Sequence, residues 1–208
     1  MVQPLLLVMK YNNDLNLYKM EKEIRNIANQ ITRGAEDSRM VEGVAIVFNS
    51  DSQDMGFIET ISPNAIDEDT IKRSDIFVYL NHDENRGVLA RSRYGKGSLQ
   101  LSLESDGLHY RFEAPKTALG DELLSYLDRG EITTSSFAFT LPKEGGDKWY
   151  RDSEGKLRRD IIKIDRLFDC SPVFQPAYET TSCSKRKLDE LNTIDEKLDS
   201  LINEIKIM

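Results

Sequence analysis

A chain of 208 residues, 39% hydrophobic and 31% charged, is long enough for one domain with its own core. Its formal net charge of −8 argues against a general nucleic-acid binder, because phosphate contacts need a basic surface. No apolar run approaches the roughly 18 to 20 residues that span a bilayer. The apolar start lacks the basic residues and cleavage site of a secretory signal. Cys170 and Cys183 fit a reducing cytosol as free thiols, with a disulfide between them as the alternative.

Residues 1–38 are predicted to form an N-terminal extension with one short helix. The helix is expected from Glu21 onward, because Ile24, Ile27 and Ile31 follow one another at helical spacing. Residues 41–48 are rich in β-forming side chains and precede a turn signal, which predicts a strand. After a further short strand, a helix is expected to begin at the proline-containing residues 62–64.

The middle of the chain predicts a domain over residues 39–183 in which strands predominate. Leu119, Leu123 and Leu127 share a helical face within residues 117–129, and Gly130 supplies a helix stop. The remaining predicted strands cover residues 57–61, 76–80, 88–93, 99–103, 108–112, 132–141 and 161–168. Strands and helices do not alternate as βαβ units, so we expect a mainly β (α+β) protein with two to four helices.

Residues 184–208 are predicted to form a C-terminal amphipathic helix. Its apolar residues recur at spacings of three and four: Leu191, Ile194, Leu198, Leu201, Ile205 and Met208. This stripe is compatible with a helix that packs on its own domain and with one that associates with a second chain.

Only two histidines are available as a general base. His82 follows a predicted strand in Asn81-His82-Asp83, and a strand end can hold a side chain rigidly at a cleft. The alternative interpretation of His82 is an ordinary surface-loop histidine. His109 alternates with apolar residues and is predicted to lie on the exposed face of a strand.

Two further segments could supply the partners of an imidazole. Residues 133–136 place four hydroxyl side chains at the start of a strand, where a serine becomes a nucleophile only if a base reaches it. Asp169 lies near a strand end and could fix the tautomer of a histidine. Cys170 permits a rival thiolate pair with His82. Neither a zinc-ligand spacing nor a phosphate-binding glycine loop is present in the sequence.

These segments combine with two others into a recognisable series. An E-G-x-A-x-x-F-N strand occupies residues 42–49, and a proline-containing turn lies within residues 59–66. The Asn-His-Asp site follows, then an Arg-Gly-acidic stretch over residues 129–139 that ends in a serine before Phe-x-Phe. The last segment, residues 169–178, runs from an acidic residue through Ser-Pro-Val to Pro-Ala-Tyr. In this order, over roughly residues 40–180, the chain resembles the prohead (capsid maturation) serine proteases of tailed phages, relatives of the herpesvirus assembly proteases.

The resemblance implies a serine endopeptidase with Ser136 as nucleophile, His82 as base and Asp169 as third member, although many relatives have glutamate at the last position. It implies a compact β-barrel of herpesvirus-protease type wrapped by a few helices. It also implies that no cofactor is needed. The expected substrates are the scaffold, the extension of the phage major capsid protein and the protease itself. The expected location is the assembling prohead in the host cytoplasm.

The resemblance further implies a homo-oligomer, such as a dimer, and gives no reason to expect a nucleic-acid or membrane partner. The alternative function is a non-catalytic internal scaffold or assembly protein built on the same barrel.

Overall fold

The computed structural model describes residues 21–28, 30–34, 38–174 and 182–207, and within the last range it leaves some side chains undescribed. The predicted apolar start, the Pro-Ala-Tyr end of the last motif and Met208 lie outside the described residues. The strands are β1 (Glu23–Ile27), β2 (Ile31–Arg33), β3 (Met40–Val47), β4 (Ile58–Ile61), β5 (Asp75–Val78), β6 (Ala90–Arg93), β7 (Lys96–Gly97), β8 (Gln100–Leu103), β9 (Gly107–Glu113), β10 (Thr134–Thr140), β11 (Asp147–Arg151), β12 (Leu157–Ile161) and β13 (Arg166–Val173). The helices are α1 (Glu68–Arg73), α2 (Ala118–Asp128) and α3 (Ser182–Ile207), with a 3₁₀ turn at Glu84–Arg86.

The strands form three hydrogen-bonded sheets. The largest has six strands in the order β1-β10-β13-β5-β6-β7, and the others have the orders β2-β3-β9-β8 and β11-β12-β4. Most neighbours are antiparallel, but β13 pairs with β5, and β12 with β4, in parallel. The parallel pair β13/β5 matters for function, because it places the residues that follow β5 beside β13.

One apolar core joins the three sheets and the helices α1 and α2. Its buried members include Ile46 of β3, Phe137 of β10, Ile161 of β12, Ile71 of α1 and Leu123 of α2. Strand β3 approaches this core closely at Gly43. A Cβ atom there would lie 2.5 Å from Cζ of Tyr110, so the glycine of the predicted E-G-x-A strand makes room for that ring.

The mainly β architecture with few helices agrees with the prediction from the sequence. The compact β-barrel that the family resemblance implied is not closed in the described part of the chain. The described strands divide into three separate sheets, and β1 and β7 are the terminal strands of the largest one, so no closed barrel is formed within the described part of the chain. The closed barrel of herpesvirus-protease type is therefore not observed.

Three local predictions were wrong. The segment expected to be helical from Glu21 contains strands β1 and β2. The helix expected at residues 62–64 is preceded by a turn and begins at Glu68, where the Asp67 carboxylate accepts a hydrogen bond from the backbone N–H of Thr70. The strand expected over residues 161–168 is interrupted at residues 162–165, and its second half continues as β13 to Val173.

Helix α3 spans 26 residues at the C-terminal end, where the sequence predicts an amphipathic helix. It contacts the rest of the chain through an ion pair between Arg151 and Asp195 and through Leu188, which lies against Gly56. Of the described helices, none combines the length and apolar character required to cross a membrane.

Candidate active site

His82 is positioned by the chain that leaves β5. The backbone N–H of Asn81 donates to the carbonyl of Pro172 over 2.9 Å, which keeps this exit beside β13. Asn81 and His82 then both adopt left-handed backbone conformations, with φ of 56° and 59°. Such angles are unusual for a histidine and occur where the surrounding structure imposes them, often at functional sites. The Asp83 carboxylate accepts from the N–H of Asn85 and so fixes the 3₁₀ turn that follows.

Ser136 lies in the middle of β10, which is buried along its whole length. Its opposite residues are Asn26 on β1 and Ser171 on β13. Since side chains alternate along a strand, the neighbouring Ser135 faces the other way. The Ser135 hydroxyl donates to the hydroxyl of Tyr110 in the core over 3.0 Å. This alternation leaves Ser136, and not Ser135, on the face that His82 approaches.

The three residues singled out in the sequence meet at this point. Nε2 of His82 lies 2.6 Å from Oγ of Ser136. The other ring nitrogen, Nδ1, lies 2.7 Å from Oδ1 of Asp169, although its N–H direction does not meet that oxygen in hydrogen-bond geometry. Poorly aligned contacts of this kind are common in active sites without substrate. The order Ser–His–Asp is the arrangement in which a carboxylate orients an imidazole and the imidazole activates a hydroxyl.

Asp169 is held from three sides. Besides His82, the hydroxyl of Ser171 donates to Oδ1 over 3.0 Å, and the ammonium of Lys22 donates to Oδ2 over 3.1 Å. The hydroxyl of Ser171 itself accepts from the backbone N–H of Tyr79, the residue directly after β5. Asp169 was expected near a strand end, but it lies inside β13, two residues before Ser171 on the same face.

The charges around Asp169 keep it ionised. Burial is the largest single effect and on its own would raise the pKa of Asp169. The charge of His82 in close contact, together with the charge of Lys22, outweighs burial, so the pKa of Asp169 is lowered. A carboxylate that stays ionised in this position can support a positive charge on His82.

The hydroxyl of Ser136 has a second acceptor besides His82. It donates to the backbone carbonyl of Arg25 on β1 over 3.0 Å. A hydroxyl carries one proton, so donation to Arg25 and transfer to His82 are alternatives. Ser136 is fully buried, whereas the His82 side chain is 22% exposed, so the histidine forms the solvent-facing part of the site.

Strand β1 is anchored beside Ser136 by a buried cluster of charged side chains. The Arg25 guanidinium donates to both carboxylate oxygens of Glu59, over 2.6 and 2.8 Å. Arg159 donates to Glu23 and Glu59 over 2.7 to 2.9 Å. These contacts join β1 of the six-stranded sheet to β4 and β12 of the three-stranded sheet.

Cys170 and His109 lie outside this constellation. Cys170 follows Asp169 on β13 and therefore faces the core, and burial raises the pKa of its thiol well above the usual value. That environment does not favour the thiolate that a Cys170–His82 pair would need. His109 lies on β9 with Nε2 2.9 Å from Oδ1 of Asp106, beside Glu104 at the surface.

Sequence reasoning missed Lys22, Ser171 and the Arg25 carbonyl as neighbours of the site. For Ser171 a signal existed, because a residue two positions after Asp169 in a strand shares its face. Lys22 and Arg25 gave no such signal, since their segment was predicted to be helical and their partners are distant in sequence.

Most of the chain is similar in sequence to one protein family. The model of the caudovirus prohead serine protease family matches residues 25–194. The chain belongs to this family. The matched part of this prohead protease runs from within β1 into α3 and includes His82, Ser136 and Asp169. Membership gives it the activity of a serine protease at the level of the family.

Comparison with individual proteins adds a structural neighbour. No curated protein sequence matches this prohead protease significantly. Among solved structures, it is similar to the capsid assembly protease gp21 of bacteriophage T4, with 10% sequence identity and a TM-score of 0.45. The alignment covers 74% of this chain and 98% of that chain.

Proposed function

We propose that this chain is a serine endopeptidase of phage prohead maturation in which Ser136, His82 and Asp169 form the catalytic triad. The observation that carries the proposal is the 2.6 Å contact between Oγ of Ser136 and Nε2 of His82, with Asp169 beside the other ring nitrogen. The protein substrates are the scaffold, the extension of the major capsid protein and the chain itself, within the assembling prohead. A relationship to the herpesvirus assembly proteases is part of the same proposal.

The mechanism is acyl transfer in two steps. The Ser136 hydroxyl turns from the Arg25 carbonyl to His82, gives its proton to Nε2, and Oγ attacks the scissile carbonyl carbon. His82 then gives the proton to the leaving amine as the peptide bond breaks, which leaves an ester on Ser136. Water, deprotonated by His82, hydrolyses that ester and restores the hydroxyl. Asp169 stabilises the imidazolium during each transfer.

The first test is the intact mass of the expressed chain beside its Ser136→Ala and His82→Ala variants. We expect truncation of the parent alone, because removing either member of a serine–histidine pair typically lowers the rate by about 10⁴-fold or more. Ser135→Ala and His109→Ala are the matched controls, since one faces the core and the other lies on β9; both should be truncated as the parent is.

Equal trimming of all five proteins would point to another protease and remove the support for self-cleavage. If all of them stay full length, cleavage of the capsid protein becomes the deciding measurement. A Ser136→Ala variant that still processes the capsid protein completely would overturn the proposed function and favour the non-catalytic scaffold.

A further inference from the structure

Lys22 stands directly before β1 and reaches the carboxylate of the proposed triad. Its ammonium donates to Oδ2 of Asp169 over 3.1 Å, while His82 faces Oδ1 of the same carboxylate. The same ammonium lies 5.4 Å from the centre of the Phe168 ring, within the range of a cation–π contact. Two different contacts therefore locate this cation on the side of Asp169 away from His82.

We propose that Lys22 is a positioning residue of the site. Its charge reduces the electrostatic stabilisation that Asp169 gives to a positively charged His82. This inference rests on the proposed function, because it assigns a role within the same triad. Its physical basis is simple electrostatics: Asp169 attracts the imidazolium, and a cation on the opposite oxygen cancels part of that attraction. The cation therefore favours the neutral imidazole, which is the form that can accept the proton of Ser136.

The other titratable groups near this pair do not compete for that role. Those among the described residues include Asp83 directly after His82, Glu84 in the following 3₁₀ turn, Tyr79 directly after β5 and Cys170 on β13. Burial raises the pKa of Tyr79 and of Cys170, so both remain uncharged where a histidine titrates. Asp83 and Glu84 are the same in all the variants compared below, so any effect they have on His82 is common to those variants.

The size of the effect is limited by solvent. The Lys22 side chain is 39% exposed, whereas that of Asp169 is 1% exposed, so water screens the cation but not the carboxylate. The Lys22 charge is partly screened and is separated from the imidazole by the Asp169 side chain. Removing such a charge is expected to shift the titration midpoint of His82 by about half to one pH unit. Salt at 1 M shortens the screening length to about 3 Å and should shrink the shift.

The test is an NMR titration of the two histidine side chains in the full chain without a histidine tag. A Ser136→Ala background prevents self-digestion, and His109 serves as an internal reference because it lies on β9 beside Asp106. Relative to that background, Lys22→Met should move the titration midpoint of His82 upward by about half to one unit. Lys22→Arg keeps the charge and should leave His82 unchanged, and His109 should not move in any variant.

An unchanged or lower His82 midpoint in Lys22→Met would overturn the proposal, and so would an equal shift in Lys22→Arg. Lys22→Gln provides a second neutral side chain should Lys22→Met fold poorly. In the active chain, the acid limb of kcat/KM should move upward with the same substitution. The titration needs no proteolysis, so an inactive parent chain would count against the proposed function and leave the Lys22 result standing.

Discussion

At the scale of single residues, Asp169 links the chemistry of the site to the stability of the fold. Its pKa is depressed in the folded chain because His82 and Lys22 outweigh the effect of burial. A carboxyl group whose pKa is lowered by folding stabilises the folded state at pH values above its pKa in the unfolded chain, about 3.9 for aspartate. This contribution is lost as the pH falls through the pKa of the folded state. Asp169 should therefore favour folding at neutral pH and cease to do so in acid.

We expect Asp169→Asn to flatten the acid side of the stability curve. The free energy of unfolding by urea, measured at intervals from pH 6 to pH 2, should fall less steeply in this variant than in the parent, whatever its absolute value. Asp165→Asn is the control, since that residue lies in the turn between β12 and β13. If the free energy of unfolding fell equally steeply with pH in Asp169→Asn and in the parent, a lowered pKa of Asp169 would not be the source of the acid dependence.

Single residues of the site were predictable to the extent that a local motif marks them. His82 was indicated by its place after a strand, and Ser136 and Asp169 by the order of segments shared with a known family. Lys22 could not be predicted, because only the pairing of β1 with β10 brings its ammonium to Asp169, a residue separated from it by 147 positions. The structural reason for choosing Ser136 over Ser135 is that the two side chains lie on opposite faces of β10, and only Ser136 faces His82.

At the scale of elements, β1 shows why hydrophobic spacing misled the sequence analysis. Ile24, Ile27 and Ile31 fit a helical face, yet the buried side chains of β1 are those of Glu23 and Arg25. These two alternate along a strand and bury their charges against Glu59 and Arg159. Ionic partners that are distant in sequence leave no trace in a local period, so tertiary contacts overrode the pattern.

We predict that Glu59→Gln lowers the free energy of unfolding by about 3 to 5 kcal/mol, because two buried arginines then lose a shared carboxylate and keep Glu23 and, for Arg159, Asp147 as ionic partners. Urea unfolding followed by circular dichroism measures the loss. Glu154→Gln is the matched control: Glu154 pairs with Lys156 at the surface, so that change should leave the urea midpoint nearly unmoved. Equal effects of the two changes would show that the cluster does not anchor β1.

At the scale of the whole molecule, the mainly β class was predictable and the arrangement of the sheets was not. Local alternation and turn residues mark most strands, which is sufficient for the class. The parallel pairs β5/β13 and β4/β12 join segments about 90 to 100 residues apart, and no local signal specifies such pairing. The site depends on one of them, because the exit from β5 runs beside β13 only through that pairing.

Helix α3 presents apolar side chains that stay exposed beside the described part of the chain. Ile194 is 59% exposed, Leu201 55% and Ile202 40%, although the helix touches the body through Leu188 and Asp195. Burying an isoleucine or leucine side chain is worth about 1.5 to 3 kcal/mol. Pairing of these side chains with those of a second copy would bury them on both helices, as the homo-oligomer expected from the sequence would require.

We predict that the full chain with Ser136→Ala is a dimer by light scattering and that adding Ile194→Asp and Leu201→Asp makes it a monomer. Charges at these positions oppose burial of the stripe, while both sites are exposed enough for the fold to tolerate them. Asn192→Asp, an exposed position between the stripe residues Leu191 and Ile194, is the control and should remain a dimer. A parent that is monomeric at every concentration, or a double variant that still dimerises, would show that this stripe does not join two copies.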